Sequence, residues 1–215
     1  MKVASIKYKL NEGSTNDYLT KISHAMPYSN IVLGPEYSLI NLNEEFIKNY
    51  FSSLSKKYPS TLIVPGTFLK EYDENSVSMV APIFYKGELV DYVFKKSDIG
   101  DSKIASKIKG KELHSAKMSE LDKMFKVNGK NVRIYICADQ GRYDLESPDL
   151  ELVTSSDLAN GFHSYPTRDL DKRDIIISDS QEGQTKGLRY NPQKENKLEE
   201  LIQKDFQDFS LFKTV

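Results

Sequence analysis

The sequence has one cysteine, three histidines and no tryptophan. A single cysteine cannot form an internal disulfide, and its spacing from the histidines does not match the spacing of zinc ligands. We therefore expect neither a disulfide framework nor a metal site. A chain without disulfides fits a reducing compartment, most simply the cytoplasm.

Long hydrophobic runs and an excess of charge of one sign are also missing. The formal net charge is −1, so there is no overall field that would attract nucleic acid or an anionic membrane. No apolar stretch approaches the ~18 residues that a membrane-spanning helix needs. A local lysine-rich tract over residues 103–117 is typical of a solvated loop or helix face. We expect no nucleic-acid partner and no membrane partner.

What is present is an ordinary globular composition. The chain has 215 residues, of which 39% are hydrophobic and 28% charged, and this predicts one domain over residues 1–215. Apolar strands alternate with amphipathic helices up to residue 64, in the order β-α-β-α-β. The segment Gly13-Ser14-Thr15-Asn16 offers turn and N-cap residues for the first helix, and Asn43 can cap the second.

The pattern changes after residue 64. Lys86-Gly87 predicts a hairpin turn between two strands, and Asn128-Gly129 predicts a tight turn leading into another strand. Residues 150–153 and 175–177 form two further short apolar strands. A last helix is expected after Pro192, with one apolar side formed by Leu198, Leu201, Ile202, Phe206 and Phe209.

Three chemically distinct side chains follow predicted strands. Glu36 follows the strand over residues 31–35, Lys96 follows residues 89–95, and Cys137 follows residues 132–136. Open α/β folds place their chemistry at the carboxyl ends of strands, so we expect an acid/base, a cation and a nucleophile to meet there. A turn beginning at Cys137 would offer backbone N–H groups to an oxyanion and lower the pKa of the thiol.

The order of these segments resembles the nitrilase superfamily of carbon–nitrogen hydrolases. Gly34-Pro35-Glu36 is similar to its general-base segment, and Ile136-Cys137-Ala138-Asp139 is similar to its Ile-Cys-Tyr-Asp nucleophile motif. Further landmarks are Leu62 to Thr67, Asn75-Ser76-Val77, Gly87 to Val90, and the lysine motif Phe94-Lys95-Lys96-Ser97-Asp98-Ile99. The resemblance implies an αββα sandwich whose C-terminal part is abbreviated. It implies Lys96 as the catalytic lysine, or Lys95 if the register shifts by one.

The resemblance also implies a reaction. A Glu36, Lys96 and Cys137 triad would hydrolyse non-peptide C–N bonds of a small amide, nitrile or carbamoyl substrate through a thioester. The backbone of Ala138 would contribute to the oxyanion site, and Glu112 is the candidate for the additional glutamate of the family. Neither a metal nor an organic cofactor is required, and a homodimer is the assembly that the resemblance implies.

Other functions remain open at this stage. A nitrilase-fold scaffold with impaired catalysis would keep the same fold, and acyl transfer to an amine would use the same residues as hydrolysis. A papain-like pairing of Cys137 with His163 has a compatible chain order, but no papain-type approach precedes the cysteine.

Overall fold

The structure is a computed structural model that describes residues 1–95, 110–114, 124–139, 148–156, 174–181, 183–190, 193, 198–201 and 204–214. Within these ranges the chain forms two β-sheets, one of nine strands and one of six. The basic tract around residue 103, the predicted Pro192 helix start and His163 lie outside the described residues.

The first half of the nine-stranded sheet follows the predicted β-α-β-α-β order. Strands β1 (Lys2–Ile6), β2 (Ile31–Leu33) and β3 (Leu62–Val64) run parallel to one another. Helices α1 (Thr15–Ala25) and α2 (Glu44–Lys57) connect them. The side chains of Ser14 and Asn43 accept hydrogen bonds from the first-turn backbone N–H groups of these helices. The N-cap predicted within residues 13–16 and the N-cap predicted at Asn43 are both confirmed, because each side chain supplies an acceptor that the helix itself lacks.

The same sheet is completed by strands from distant parts of the chain. These are β4 (Phe68–Glu71), β5 (Ser76–Tyr85), β6 (Glu88–Phe94), β7 (Glu112–Leu113), β14 (Lys204–Asp205) and β15 (Phe209–Lys213). The strand order is β14-β15-β1-β2-β3-β5-β4, and β6 and β7 also pair with β5. The predicted hairpin is confirmed: Lys86 and Gly87, at φ 54° and 89°, connect β5 to β6.

The six-stranded sheet carries the cysteine. It contains β8 (Met124–Val127), β9 (Lys130–Ile136), β10 (Leu150–Ser155), β11 (Asp174–Asp179), β12 (Thr185–Tyr190) and β13 (Leu198–Glu200). Its order is β13-β12-β11-β10-β9-β8. Strands β9, β10 and β11 are parallel, so their carboxyl ends lie at one edge.

The predicted C-terminal helix is wrong. Residues 198–213 contain β13, β14 and β15 instead, and β15 pairs antiparallel with β1. Phe209 and Leu211 pack with the helices, whereas Phe212 packs between the sheets. This alternation is the two-residue period of a strand, and pairing with β1 outweighs the helical spacing of the apolar residues.

The two sheets pack face to face. One face of the nine-stranded sheet is covered by α1 and α2, through a cluster that includes Ile22, Phe51 and Phe84. Its other face packs on the six-stranded sheet. Strands β10 and β11 are buried along their whole length, as expected of parallel strands enclosed on both faces. Neither α-helix in the described ranges is long and apolar enough to cross a membrane.

Candidate active site

Glu36, Lys95 and Cys137 follow the ends of three strands. Glu36 comes three residues after β2, Lys95 comes directly after β6, and Cys137 comes directly after β9. The charges of Glu36 and Lys95 both act on the pKa of the Cys137 thiol. Since β2 and β6 belong to one sheet and β9 to the other, the three groups meet where the two sheets face each other.

The loop that carries Glu36 is held by backbone hydrogen bonds from both sheets. The N–H of Glu36 donates to the carbonyl oxygen of Ser155 at the end of β10, at 3.1 Å. The N–H of Tyr37 donates to Oγ1 of Thr67 at 2.8 Å. Tyr37 has φ 64°, a left-handed conformation that costs energy for a residue with a Cβ. The surrounding contacts therefore fix a strained turn immediately after Glu36.

Two glycines allow this loop to approach the loop after β3. A Cβ on Gly34 would overlap the hydroxyl of Tyr18, and a Cβ on Gly66, at φ 92°, would overlap Ser38. The Tyr18 hydroxyl donates to the carbonyl oxygen of Pro65 at 2.7 Å. Close backbone packing of this kind requires glycine, and it holds the strand exit that precedes Glu36.

Lys95 forms a buried ion pair with Glu36. Its Nζ lies 2.6 Å from Oε1 of Glu36, and the side chains are 16% and 1% exposed. The Lys95 ammonium also lies 5.8 Å from the centre of the Tyr37 ring. Burial alone would lower the pKa of Lys95, but the net pKa is raised because Glu36 and, with smaller effects, Cys137 and Asp139 favour the charged form. Lys95 therefore stays protonated in this site.

Cys137 begins a short 3-10 helix over Cys137–Asp139. Its φ of 48° is left-handed, an uncommon conformation for a residue other than glycine. Strain of this kind persists only where the surrounding structure imposes it, and it is concentrated at functional sites. The thiol is free and partly buried, and the Ser156 backbone and the Ser155 side chain both hydrogen-bond to it.

The expected lowering of the thiol pKa is wrong. Burial and the Glu36 carboxylate raise the pKa of Cys137 to about 11, against the opposing effects of the Lys95 ammonium and of hydrogen bonds from the Ser156 backbone and the Ser155 side chain. Both raising effects disfavour the thiolate, burial because it removes water and Glu36 because it has the same charge. The resting thiol is therefore protonated at neutral pH, and a base is needed to activate it.

Of the other candidate residues, two lie outside the described residues and two lie within them. Lys96, favoured over Lys95 on the sequence, lies outside the described residues, as does His163. Ala138 is the second residue of the turn that starts at Cys137. Glu112 lies on β7 opposite Ser76 and is exposed; no contact within the described ranges connects it to the Cys137 thiol.

Two buried polar residues near the site were missed in the sequence. Ser155 ends β10 and Asp179 ends β11, and the serine hydroxyl donates to Oδ2 of Asp179 at 2.9 Å. The residues that precede them in the sequence indicate only short apolar strands. Each is a polar residue two positions after an apolar strand predicted from the sequence, over residues 150–153 and 175–177, and this position is the one feature that could have marked them.

Comparison with solved structures identifies the fold. An amidase from Nesterenkonia sp. AN1, in a glutamate-to-glutamine variant showing Michael addition of acrylamide at its active-site cysteine, aligns with TM-score 0.73 and 9% identity, covering 100% of this chain and 93% of that chain. A cysteine-to-serine variant of the same amidase, described as a nitrilase-superfamily protein, aligns with TM-score 0.70 and 11% identity, covering 99% and 90%. No protein-family model and no curated protein matches the sequence.

The chain therefore has the fold of the nitrilase superfamily, as the sequence motifs predicted. At 9–11% identity this likeness concerns the fold; fold alone does not define an activity.

Proposed function

We propose that this chain is a cysteine-dependent hydrolase of non-peptide C–N bonds, acting on a small amide, nitrile or carbamoyl substrate. The observation that carries the proposal is the buried Glu36–Lys95 pair of 2.6 Å, whose two charges both act on the Cys137 thiol. A buried ion pair beside a strained cysteine contributes little to stability, and perturbed groups of this kind are concentrated at functional sites.

Glu36 serves as the general base for the first step. Its carboxylate removes the proton from the Cys137 thiol while the sulfur attacks the substrate carbon and the C–S bond forms. The raised thiol pKa makes this assistance necessary, because little thiolate exists at neutral pH. For an amide, the carbonyl π electrons move to oxygen and create an oxyanion.

Lys95 and the backbone N–H of Ala138 stabilise that oxyanion. The ammonium stays charged because its pKa is raised, and the turn over Cys137–Asp139 offers the N–H next to the sulfur. Donors fixed in a buried site stabilise developing charge better than water does. The C–N bond then breaks, and protonated Glu36 gives its proton to the leaving amine.

The thioester is released by water. Glu36, again a carboxylate, takes a proton from water as the oxygen attacks the acyl carbon. When the C–S bond breaks, the sulfur recovers the proton from Glu36, which restores the starting state. Transfer of the acyl group to an amine instead of water would use the same residues.

We assign the lysine role to Lys95 in place of Lys96. The support is its 2.6 Å contact with Glu36 and the fixed position of its backbone, whose N–H donates to the carbonyl oxygen of Met79 at 2.9 Å. Glu112 is not given a role in the reaction, because it is exposed on β7. A single domain over residues 1–215, a cytoplasmic location and a homodimer stay predictions.

The test is ammonia release from a panel of small amides and nitriles, combined with intact-mass measurement of acyl adducts. We expect one acyl group per chain, located on Cys137 by peptide mapping and absent in Cys137→Ser. Fluoroacetamide is a suitable electrophilic probe, since a solved neighbour carries its acetamide moiety on the active-site cysteine.

Adjacent lysines supply the matched control. Lys95→Met is expected to lower turnover by about two to three orders of magnitude, and Lys96→Met is expected to leave it within about a factor of three. The reverse ranking would move the lysine role to Lys96. No turnover and no adduct across the panel would instead favour a nitrilase-fold scaffold, and products formed only with an added amine would indicate acyl transfer.

A further inference from the structure

One buried threonine ties the loop after β2 to the connection between β3 and β4. Oγ1 of Thr67 accepts the N–H of Tyr37 at 2.8 Å, and the carbonyl oxygen of Thr67 accepts the N–H of Leu39 at 3.1 Å. Thr67 itself is fully buried, at 0% exposure. With its side chain and its backbone, it therefore holds two N–H groups of the loop that carries Glu36.

The two peptide groups on either side of the Glu36 Cα are anchored to different sheets. The N–H before this Cα, that of Glu36 itself, donates to the carbonyl oxygen of Ser155 at the end of β10, at 3.1 Å. The N–H after it, that of Tyr37, donates to Thr67. Because each residue has only two soft backbone dihedrals, fixing both peptide planes fixes the direction of the Glu36 Cα–Cβ bond. The carboxylate is thereby directed at Lys95, whose Nζ lies 2.6 Å from Oε1 of Glu36.

Only one of these two anchors depends on a side chain. The Ser155 anchor is a backbone oxygen, which any residue supplies, whereas the Thr67 anchor is a hydroxyl. Tyr37 has φ 64° and is 2% exposed, so its backbone is strained and little water is available to its N–H. A buried N–H without an acceptor costs free energy, and a left-handed residue persists only where its surroundings impose it. Without the hydroxyl, we expect the peptide group between Glu36 and Tyr37 to turn.

We propose that Thr67 is a positioning residue for the general base: its hydroxyl fixes the peptide group between Glu36 and Tyr37 and so aims the Glu36 carboxylate at Lys95 and the Cys137 thiol. This inference rests on the proposed function and adds to it a residue that acts through Glu36. A misplacement of about 1 Å can lower a reaction rate by about 100-fold. The orientation of the base therefore matters to the rate as much as its presence does.

The thiol can report the position of Glu36 without any substrate. Thr67 is uncharged, so its replacement adds or removes no charge near the sulfur. The charges that act on the thiol are those of Glu36 and Lys95, and the charge of Asp139 acts on Lys95. The Glu36 carboxylate raises the pKa of the Cys137 thiol. A carboxylate that has turned away raises the thiol pKa less.

The experiment measures the rate of Cys137 alkylation by iodoacetamide against pH. The proteins are the wild type, Thr67→Val, Thr67→Ser, Glu36→Gln and the double variant Thr67→Val with Glu36→Gln. Valine has the shape of threonine without the acceptor, so Thr67→Val should lower the midpoint of the profile by about half a pH unit or more, toward that of Glu36→Gln. Thr67→Ser keeps the hydroxyl and should keep the wild-type midpoint. In the Glu36→Gln background, Thr67→Val should shift the midpoint by less than about a third as much.

Thr61→Val is the matched control. Thr61 directly precedes β3 as Thr67 directly precedes β4; it is 2% exposed, and its hydroxyl donates to the carbonyl oxygen of Ser29 at 2.9 Å. Each valine variant loses one buried hydrogen bond and should lower the midpoint of urea unfolding, but Thr61→Val should leave the alkylation profile unchanged. An unchanged profile in Thr67→Val would overturn the proposal. An equal shift in Thr61→Val, or an equal Thr67→Val shift with and without Glu36→Gln, would also overturn it.

Turnover of an amide gives a second readout. Thr67→Val should lower kcat by about 10- to 100-fold and leave KM within about a factor of three, because the base is misplaced while substrate binding is kept. Should Thr67→Val fail to fold, Thr67→Ala, which also lacks the acceptor, decides on the same terms. A shifted alkylation profile without turnover of any amide would reject the hydrolase and retain Thr67 as the residue that positions Glu36. Turnover with the same kcat in Thr67→Val and Thr61→Val would retain the hydrolase and reject the role of Thr67.

Discussion

Two lysine–glutamate pairs of nearly equal length lie in opposite surroundings. The Glu36–Lys95 pair spans 2.6 Å with 1% and 16% exposure, and the Glu44–Lys70 pair spans 2.7 Å with 27% exposure on each side. Glu44 also contacts Lys48 at 2.8 Å and the Tyr92 hydroxyl at 2.7 Å. The Glu36–Lys95 pair is largely buried beside the Cys137 thiol. The Glu44–Lys70 pair lies at the start of α2, where water reaches it.

The difference shows why only one pair points to chemistry. Water and several donors solvate the Glu44 carboxylate; although burial opposes it, the hydrogen bonds from Lys48, Lys70 and Tyr92 lower its pKa to about 2. Such a pair is an ordinary surface feature. The Glu36–Lys95 charges are maintained inside the protein, where desolvation is expensive. In the proposed reaction, both charges act on the neighbouring Cys137 thiol.

Neutralising each glutamate gives the largest contrast. Glu36→Gln should lower turnover by about 10²- to 10⁴-fold because the general base is lost, and Glu44→Gln should leave turnover unchanged. At the same time the alkylation midpoint of Cys137 should fall in Glu36→Gln, because the carboxylate that raises its pKa is gone while Lys95 remains. Steady-state turnover and iodoacetamide profiles check both effects. A turnover loss of equal size in the two variants would contradict the assignment of Glu36.

Removing each lysine gives the next contrast, this time in stability. Lys95→Met leaves the Glu36 carboxylate buried without its cation and should lower the free energy of unfolding by about 3 kcal/mol. Lys70→Met should cost less than about 1 kcal/mol, since water and Lys48 still solvate Glu44. Urea unfolding at neutral pH measures both. Equal losses of stability in the two variants would contradict a difference in solvation between the two glutamates.

Acid should weaken the Glu44–Lys70 pair, and the resulting loss of stability should be smaller than that of Lys95→Met. The pKa of Glu44 in the folded protein is about 2, below its ordinary value of 4.5. The stabilisation is therefore fully present above the ordinary value and is lost as the pH falls toward 2. We expect a loss of about 1 kcal/mol, because solvent screens this partly exposed group. Between neutral and acidic pH, the free energy of unfolding should therefore fall by about 1 kcal/mol more in the wild type than in Glu44→Gln. Urea unfolding at the two pH values measures this difference.

The smallest effect concerns a single hydroxyl. Tyr92→Phe removes the donor at 2.7 Å from Oε1 of Glu44 and should cost about 0.5 kcal/mol of stability, since water replaces it. Part of the acid sensitivity should disappear with it. Turnover should be unchanged, although Tyr92 lies on β6, the strand that leads to Lys95. A change in turnover would show that β6 transmits effects from the surface pair to the site.

Much of the first half of the fold was predictable because local chemistry and tertiary structure agree there. Ser14 and Asn43 cap the helices where expected, and Asn128 and Gly129 adopt the positive φ values of a tight hairpin. The helix predicted across Phe206 and Phe209 failed because its apolar spacing also suits a strand. Only the presence of β1 as a pairing partner decides between them, and that partner lies at the other end of the sequence.

The site was predictable in its residue types but not in its details. The predicted strand ends indicated Glu36, a lysine and Cys137. The choice between Lys95 and Lys96 depends on the residue at which β6 ends, and a hydrophobic pattern does not define the end of a strand to within one residue. The direction of the thiol pKa shift depends on burial and on the distance to Glu36, both of which are properties of the folded chain. The Ser155–Asp179 hydrogen bond forms only because the parallel register of β10 and β11 brings the two residues together.

The pairing of β1 with β15 has a consequence for synthesis of the chain. On the ribosome, residues 2–6 emerge long before residues 209–213, so one edge of β1 stays open in the meantime. An open strand edge is a template for pairing with other chains, and a contact between such distant segments is slow to form. Nascent chains would therefore be exposed to aggregation until residue 213 has emerged, and a chaperone that shields that edge would raise the yield of folded protein.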